Sequence, residues 1–189
     1  TNLGGADTLT GGVGADTIAG GAGADIISGG DGADVITGGD GADTITGGAS
    51  ADDLSGGNDN GTFVVVNAGD FVAGETVSGG AGTDTILLNE AGTYDATVLS
   101  ATVTGVENVT LNEDAAGFAL TFADGAYVDA TGNTITVSSA VAMTDGVSVT
   151  GGATASSHEL VVDGTNLGGA DTLTGGVGAD TIAGGAGAD

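Results

Sequence analysis

The chain has 189 residues, among them 26 Asp and Glu, 41 Gly, one His and no Lys, Arg, Cys or Pro. Nucleic-acid binding needs Lys or Arg to neutralise phosphates, so this composition excludes a nucleic-acid partner and disfavours an anionic membrane surface. Disulfides are excluded as well, and no apolar run approaches the roughly 20 residues of a transmembrane helix, so we expect no transmembrane segment.

The net charge of −26 favours an extended chain, but 40% of the residues are apolar and supply Val, Ile and Leu for a core. Only 3% are aromatic, which predicts a thin, elongated core rather than a globule. Carboxylates gathered in any compact structure repel one another. Because the chain carries almost no positive charge, we expect cations from the medium to be part of the fold.

From the N-terminus, a nine-residue unit repeats in one frame. Residues 11–19 read GGVGADTIA, four further units follow without a gap, and residues 2–10 are a leading variant. We predict a first domain over residues 1–58. The units place Asp at the sixth position, in Asp7, Asp16, Asp25, Asp34, Asp43 and Asp52. They place an aliphatic residue at the eighth position, in Leu9, Ile18, Ile27, Ile36, Ile45 and Leu54.

Beyond this block the frame decays. Gly61 stands where Asp is expected, and residues 70–78 retain an acid in frame only as Glu75. The unit is restored once, at residues 79–87, where Asp84 occupies the sixth position.

The central segment, residues 59–164, carries short runs rich in Val, Thr and Leu that are separated by Gly, Asn and Asp. Such runs predict strands. The segment is either a series of broader coils of one solenoid or a small all-β insert, and both interpretations stay open at this point.

A second, longer period is also present. Residues 165–189 repeat residues 1–25 without a difference, which sets a period of 164 residues. Chance does not produce such an identity, so we predict a tandem array in which residues 165–189 start the next copy. We expect this chain to be a piece of a longer protein.

Each nine-residue unit has a simple geometric interpretation. The Gly-rich first half is predicted to turn tightly, and the last three residues, such as residues 17–19, to form a short strand. Two units close a coil of 18 residues, and coils stack about 4.8 Å apart around a narrow aliphatic core between two parallel sheets. One edge is then lined by Asp7, Asp25 and Asp43, and the other by Asp16, Asp34 and Asp52.

Carboxylates stacked this closely need a hard cation. Carboxylate and carbonyl oxygens without His or Cys form a ligand set typical of Ca²⁺, while Mg²⁺ is a weaker candidate because it demands a small octahedral shell. Asp31 and Asp40, at third positions, are further candidates for charge or carbonyl ligands. The predicted metal ligands are Asp7, Asp16, Asp25, Asp34, Asp43, Asp52, Asp84, Asp171, Asp180 and Asp189.

The repeating pattern of glycines, Asp and an aliphatic residue resembles the RTX (repeats-in-toxin) calcium-binding β-roll. The resemblance covers residues 2–55, 79–87 and 166–189. It implies an all-β fold, a right-handed parallel β-roll with calcium-binding Gly-rich turns, continued by an irregular β-solenoid or a small β insert. It also implies several bound Ca²⁺ ions, type I secretion and an extracellular location at the bacterial cell surface.

RTX units occur in toxins, lipases, proteases, adhesins and surface-layer proteins, so function has to come from what accompanies them. The long tandem period favours a non-catalytic structural repeat of a secreted bacterial surface layer, filament or giant adhesin that folds and assembles on extracellular calcium. The expected partners are identical repeats or subunits joined end to end, with cell-surface polysaccharide as a second candidate. Two alternatives stay open: an adhesin module that binds glycan, lipopolysaccharide or ice, and an RTX secretion and folding tail of a secreted enzyme.

The side chains that catalysis would need are scarce, so we expect no enzyme. His158 is the sole imidazole, and its Ser and Glu neighbours are adjacent in sequence rather than arranged as a catalytic constellation. Threonines that flank the inward aliphatic residues, such as Thr44 and Thr46, would suit a flat ligand-binding face, although β propensity alone accounts for them.

Overall fold

A computed structural model of the protein describes residues 3–94, 103–114, 117–122, 134–151 and 159–189. Over these residues the chain consists mainly of β-strands, with two short 3-10 helices at Ala68–Asp70 and Gly164–Asn166. The strands of this part of the chain form four sheets, in which the paired strands are parallel. The all-β prediction is therefore confirmed.

The two longest sheets, called sheet A and sheet B, face each other across the first part of the chain. Sheet A contains, in spatial order, β1 (Leu3–Gly4), β3 (Thr17–Ala22), β5 (Val35–Asp40), β7 (Asp53–Asn58), β9 (Thr76–Gly80) and β12 (Val103–Thr104). Sheet B contains β2 (Thr8–Val13), β4 (Ile26–Asp31), β6 (Thr44–Ala49), β8 (Thr62–Val65), β10 (Thr85–Leu88), β13 (Asn108–Leu111), β15 (Thr134–Ser139), β17 (Glu159–Val162) and β20 (Thr181–Ile182).

Two smaller sheets belong to the later part of the chain. Sheet C contains β11 (Thr93–Tyr94), β14 (Ala119–Thr121), β16 (Ser148–Thr150) and β19 (Thr172–Thr174). Sheet D contains β18 (Gly168–Gly169) and β21 (Ala186–Gly187). In the described residues, no helix is long and apolar enough to cross a membrane.

The predicted 18-residue coil is confirmed by the strand register. Leu9 of β2 lies beside Ile27 of β4, and Ile18 of β3 lies beside Ile36 of β5. Consecutive strands of the chain therefore alternate between sheet B and sheet A, as a two-sided β-roll requires.

The prediction of three-residue strands is wrong, because the strands of the nine-residue units have six residues and include both glycines. Pairing continues through the glycines, with Gly12 beside Gly30. Gly30 has φ +115°, and a Cβ there would touch the carbonyl oxygen of Gly12. Glycine thus lets the backbone bend while adjacent coils stay close enough to pair. The turn that remains is short, as at residues 14–16.

The core is a stack of inward side chains, one coil above the next. Ile27, Ile36 and Ile45 are at most 1% exposed. Fully burying a side chain of this size contributes roughly 1.5–3 kcal/mol, so the stack is the main apolar contribution to the narrow coils. In sheet B the inward series continues without interruption as Leu9, Ile27, Ile45, Phe63, Ile86, Val109, Val137, Val162 and Ile182.

Sheet B also decides between the two interpretations of the central segment. It runs from the nine-residue units through β8, β10, β13, β15 and β17, so the described part of this segment consists of broader coils of one solenoid. The spacing of paired residues grows from 18 to 23 and then to 28, as for Thr62 with Thr85 and Asn108 with Thr136. Strands of sheet C add a third side to these coils. Where the chain divides into domains remains a prediction.

Candidate metal centres

The sixth-position Asp residues lie at the turns, directly before the strands. Asp25 precedes β4, and its Oδ1 accepts a hydrogen bond of 2.8 Å from the backbone N–H of Asp7, one coil earlier. Bonds of the same length join the N–H of one Asp to Oδ1 of the next in three further pairs: Asp16 with Asp34, Asp25 with Asp43, and Asp34 with Asp52. The two predicted rows of carboxylates are therefore present, one on each edge of the roll. Their assignment as metal ligands remains a prediction.

The other carboxylate oxygen of these side chains has no partner in the protein. Asp25, Asp34 and Asp43 are each 1% exposed. A buried carboxylate oxygen that meets neither a donor nor a cation carries a large desolvation penalty. The rows therefore fit a bound cation. Among the described residues, a buried Oδ2 without a hydrogen bond is found in Asp7, Asp16, Asp25, Asp34, Asp43, Asp52, Asp84 and Asp171.

The first glycine of each unit brings backbone oxygens to the same place. A Cβ added at Gly11 would lie 2.6 Å from Oδ2 of Asp16 and 2.6 Å from the carbonyl oxygen of Gly29. A Cβ at Gly29 would touch Oδ2 of Asp34 and lie 2.6 Å from the carbonyl oxygen of Gly47. Only glycine leaves this space open. It is bordered by a carboxylate of one unit and a carbonyl of the coil that follows.

This donor set consists of oxygens, and backbone carbonyls have to supply most of it. In the part of the chain that the structure describes, no three His, Cys, Asp or Glu side chains come together as a metal cage. Ca²⁺ takes six to eight oxygen ligands, including backbone carbonyls, in flexible geometry. The residues present therefore fit Ca²⁺.

Burial and mutual repulsion make negative charge in the rows costly. Burial raises the pKa of Asp43, and the Asp25 carboxylate raises it further, against a backbone hydrogen bond that lowers it. The same three effects act on the pKa of Asp52, with Asp34 as the neighbour. A divalent cation at the row would reverse this balance by favouring the ionised form.

One row is interrupted at Gly61, as the sequence predicts. Gly61 has no carboxylate, and the space beside Gly56 is approached instead by the ring of Phe63, 3.3 Å from an added Cβ. An apolar side chain thus stands where the other units hold an acid.

The isolated unit at residues 79–87 restores the arrangement. Oδ1 of Asp84 accepts from the N–H of Gly61 at 2.6 Å, and a Cβ at Gly79 would lie 2.6 Å from Oδ2 of Asp84. The same Cβ would touch the carbonyl oxygen of Gly105 in the next coil. Burial, reinforced by the Glu107 carboxylate, raises the pKa of Asp84 to about 6.

Two glutamates extend the rows where the sequence analysis assigned no ligand. Glu75 accepts from the N–H of Asp52 at 3.1 Å, and Glu107 accepts from the N–H of Asp84 at 2.7 Å. Glu75 is 2% exposed, and burial raises its pKa to about 8. A signal for both was available, since each lies within two residues after a glycine, Gly74 or Gly105, and directly precedes a strand.

The second copy of the repeat places its carboxylates in the same kind of contact. Oδ1 of Asp171 accepts from the N–H of Val147 at 2.8 Å, and Oδ1 of Asp180 accepts from the N–H of Leu160 at 3.0 Å. Asp189 makes a longer contact of 3.4 Å with the N–H of Asp171. Of these three carboxylates, only Asp171 is buried.

The third-position acids do not join the rows. Asp31 and Asp40 are exposed, and their carbonyl oxygens accept backbone hydrogen bonds from Gly14 and Gly23. The Asp40 carboxylate accepts from the side chain of Asn58 at 2.6 Å, on the outside of the roll. His158 lies outside the described residues.

Comparison with known proteins identifies the repeating unit. A family model described as the RTX calcium-binding nonapeptide repeat matches residues 2–36, 28–63, 73–90 and 167–189, which together exceed half of the chain. No curated protein and no solved structure matched the chain.

Proposed function

The chain belongs to the family of RTX calcium-binding nonapeptide-repeat proteins, and on that premise we propose that it is a non-catalytic structural repeat of a secreted bacterial surface layer, filament or giant adhesin. In this role it folds and assembles on extracellular calcium and joins identical repeats end to end. The coarser statement, that this is a calcium-binding repeat region with a β-roll fold, already follows from family membership.

The observation that supports the proposal is the set of buried carboxylate oxygens without partners. They recur at the stacked turns of the nine-residue units that carry Asp, and they are stabilised only when a cation binds them. A solenoid that repeats the same site from coil to coil suits a protein with a structural role, in which the extended shape itself is what is needed.

Within each turn, the two carboxylate oxygens of Asp and the glycine carbonyl have different roles. Oδ1 of each Asp holds two coils together by accepting the N–H of the coil before it. Oδ2 and the glycine carbonyl face the space that glycine leaves open. Bound calcium supplies the positive charge that this oxygen set lacks. Without it, repulsion along each row favours the open chain, so binding and folding are coupled.

Coupling of this kind suits a protein that works outside the cell. Sites with dissociation constants of about 10⁻⁴ to 10⁻³ M are typical of extracellular calcium modules. Such sites are filled at extracellular calcium concentrations and stay empty in the cytosol. The narrow coils would then remain unfolded until the chain leaves the cell.

A calcium titration of the purified 189-residue chain tests the proposal. We expect circular dichroism to show a transition from coil to β structure above a calcium threshold, reversed by chelator and not reproduced by Mg²⁺. Negative-stain electron microscopy should then show filaments or sheets above the same threshold. Undiminished β structure in chelator would overturn the calcium mechanism, and a folded chain that never assembles would overturn the polymer role.

A matched pair of variants separates the row from general surface charge. Asp34→Asn keeps the shape of a buried row carboxylate, and Asp31→Asn removes the same charge from an exposed position three residues earlier in the same unit. We expect the calcium midpoint of folding to rise several-fold for Asp34→Asn and to stay close to wild type for Asp31→Asn. Equal midpoints for both variants would contradict a role for the row.

One observation favours a second candidate, an adhesin module that binds glycan, lipopolysaccharide or ice. Thr44, Thr62 and Thr85 lie side by side on the outer face of sheet B. The column is broken on either side by Ile26 and Asn108. This candidate predicts that the calcium-folded chain binds such a ligand and that Thr62→Lys abolishes binding without loss of β structure.

A further inference from the structure

The two identical copies of the 25-residue segment belong to different sheets. In the first copy, the strand at Thr8 lies in sheet B and the strand at Thr17 lies in sheet A. In the second copy, the same strands are β19 and β20. They pair with β16 of sheet C and β17 of sheet B, respectively. Strands of identical sequence therefore lie in different sheets: sheet B in the first copy corresponds to sheet C in the second, and sheet A corresponds to sheet B.

The pairing inside the segment is nevertheless the same in both copies. Gly4 lies beside Ala22 in the first copy, and the corresponding residues Gly168 and Ala186 lie beside each other in the second. The segment thus forms the same coil in both places. What differs is its neighbour.

Apart from the pairing inside the segment, each copy reveals a neighbouring coil on one side only. In the first copy, β2 and β3 pair with the strands that follow, β4 and β5. In the second copy, the equivalent strands pair with strands that come earlier in the chain, with Thr172 beside Ser148 and Thr181 beside Val161. The two sets of pairings use opposite edges of the same strands, so one copy can make both at once.

We infer that, in the tandem array on which the proposed function rests, the partner of the open sheet edges is the next copy of this chain, and that every sheet changes its place at the junction. Sheet C of one copy continues as sheet B of the next, and sheet B continues as sheet A. A new sheet starts at β11, and an old one ends at β12. The array is then one uninterrupted solenoid whose sheets move around its axis by one side in each period.

Burial at the two edges supports this continuation. Val149 and Val162, which lie beside Leu173 and Ile182, are at most 1% exposed, whereas Ile182 itself is 40% exposed. Ile36, which follows the equivalent residue Ile18 in sheet A, is buried. The next coil would therefore cover Ile182 with an isoleucine, as β5 covers β3.

The carboxylate rows cross the junction in the same way. Asp171 and Asp180 accept backbone N–H groups from Val147 and Leu160, which belong to the copy before. This is the contact that Asp25 makes with Asp7 inside the regular block. Adjacent periods are thus joined by both strand pairing and the same kind of turn, with no linker between them, so the array is stiff and presents each outer face in several directions.

Cysteine cross-linking in a two-period chain, residues 1–164 followed by residues 1–189, tests the inference. The sequence has no Cys, so introduced pairs are the only thiols. Paired residues of adjacent strands are about 4.8 Å apart, within the Cα range of about 4.4–6.8 Å that a disulfide accepts. In calcium, we expect Ser148→Cys with Thr172→Cys and Val161→Cys with Thr181→Cys to cross-link in most molecules.

The control pair is Val161→Cys with Thr172→Cys, which would be adjacent if sheet B of one copy continued as sheet B of the next. We expect at least tenfold less cross-linking from this pair. A folded chain in which the control pair cross-links, or in which neither expected pair does, would overturn the inference and leave the calcium mechanism intact. Circular dichroism of each variant in calcium reports folding, and a chain that stays unfolded there would overturn the proposed function instead.

Discussion

The narrow coils of residues 3–58 and the broader coils after them share sheet B but stabilise their turns differently. A narrow strand such as β4 buries one aliphatic side chain and one glycine, whereas β10 buries both Ile86 and Leu88. The narrow coils instead have a carboxylate row on each edge. In the narrow coils, where each strand buries one aliphatic side chain, the turns depend on a bound ion. In the broader coils, where a strand buries two, the core contributes more of the stability.

The size of this difference can be judged from the second inward residue. Burying one Leu or Val contributes roughly 1.5–3 kcal/mol, so each broad strand gains about that much over a narrow one. Leu88 and Leu111, in β10 and β13, are fully buried examples. The two regions should therefore respond unequally to loss of calcium.

Calcium removal should produce the largest effect. In chelator, we expect backbone amides of β3 to β7 to lose most of their protection from hydrogen exchange, because their turns lose the counter-charge. Amides of β10 and β13 should retain more, since two apolar residues per strand still pack. Hydrogen–deuterium exchange with mass spectrometry measures both regions in one sample. Equal loss in both would refute the unequal division of stability.

A methyl group in the space beside the carboxylate should have the next largest effect. Gly29→Ala places a Cβ against Oδ2 of Asp34 and 2.6 Å from the Gly47 carbonyl oxygen. We expect about 1–3 kcal/mol of destabilisation from overpacking, together with weaker calcium binding. Gly4→Ala is the control, because nothing lies within 4 Å of its Cβ. Denaturant unfolding in calcium compares the two, and equal stability would contradict the close approach of these oxygens to Gly29.

Acid should partly replace calcium near the start of the broad coils. Burial raises the pKa of Glu75 from 4.5 to about 8, so the folded state keeps a proton that the unfolded state releases. Its contribution to stability is complete below pH 4.5 and is lost as pH rises through about 8. In chelator, the thermal midpoint of the broad coils, which retain structure there, should fall from pH 5 to pH 9. Glu75→Gln should flatten this dependence, and Glu113→Gln, at an exposed position, should leave it unchanged.

The smallest predicted effect concerns a strained turn of the narrow coils. Ser50 has φ +93° at a position where most units have glycine. This conformation costs an L-residue roughly 1–2 kcal/mol. Glycine avoids that cost, but its unfolded state has more conformational freedom, which offsets part of the gain in stability. Ser50→Gly should stabilise the chain by about 0.5–1 kcal/mol in denaturant unfolding. Ser55→Gly, in the middle of β7, should destabilise it, and a gain from both would contradict the strain.

The regular block could be predicted from the sequence because each unit contains the glycines and Asp that form its turn and the aliphatic residue that points into the core. The 18-residue coil, the inward positions such as Ile27, and the rows through Asp25 and Asp34 follow from that frame. Strand length did not follow, because pairing through Gly12 and Gly30 depends on how closely two coils approach.

The broad coils and the junction needed the structure. Thr85 and Asn108 pair across 23 residues with no repeating frame between them, so register is set by the stacked core rather than by local signals. Glu75 and Glu107 take over the Asp contact without the rest of the motif. The two identical copies show the limit directly, since the same residues form the same coil but join different sheets.

The most direct test of the central claim is to locate the ions. A crystal structure of the calcium-loaded chain, with the anomalous signal of calcium, should place ions about 2.3–2.6 Å from Oδ2 of Asp25, Asp34 and Asp43. Each ion should also contact the glycine carbonyl oxygens that border the same space. Ions found only at exposed acids such as Asp31 and Asp40, with the rows left without a cation, would contradict the account.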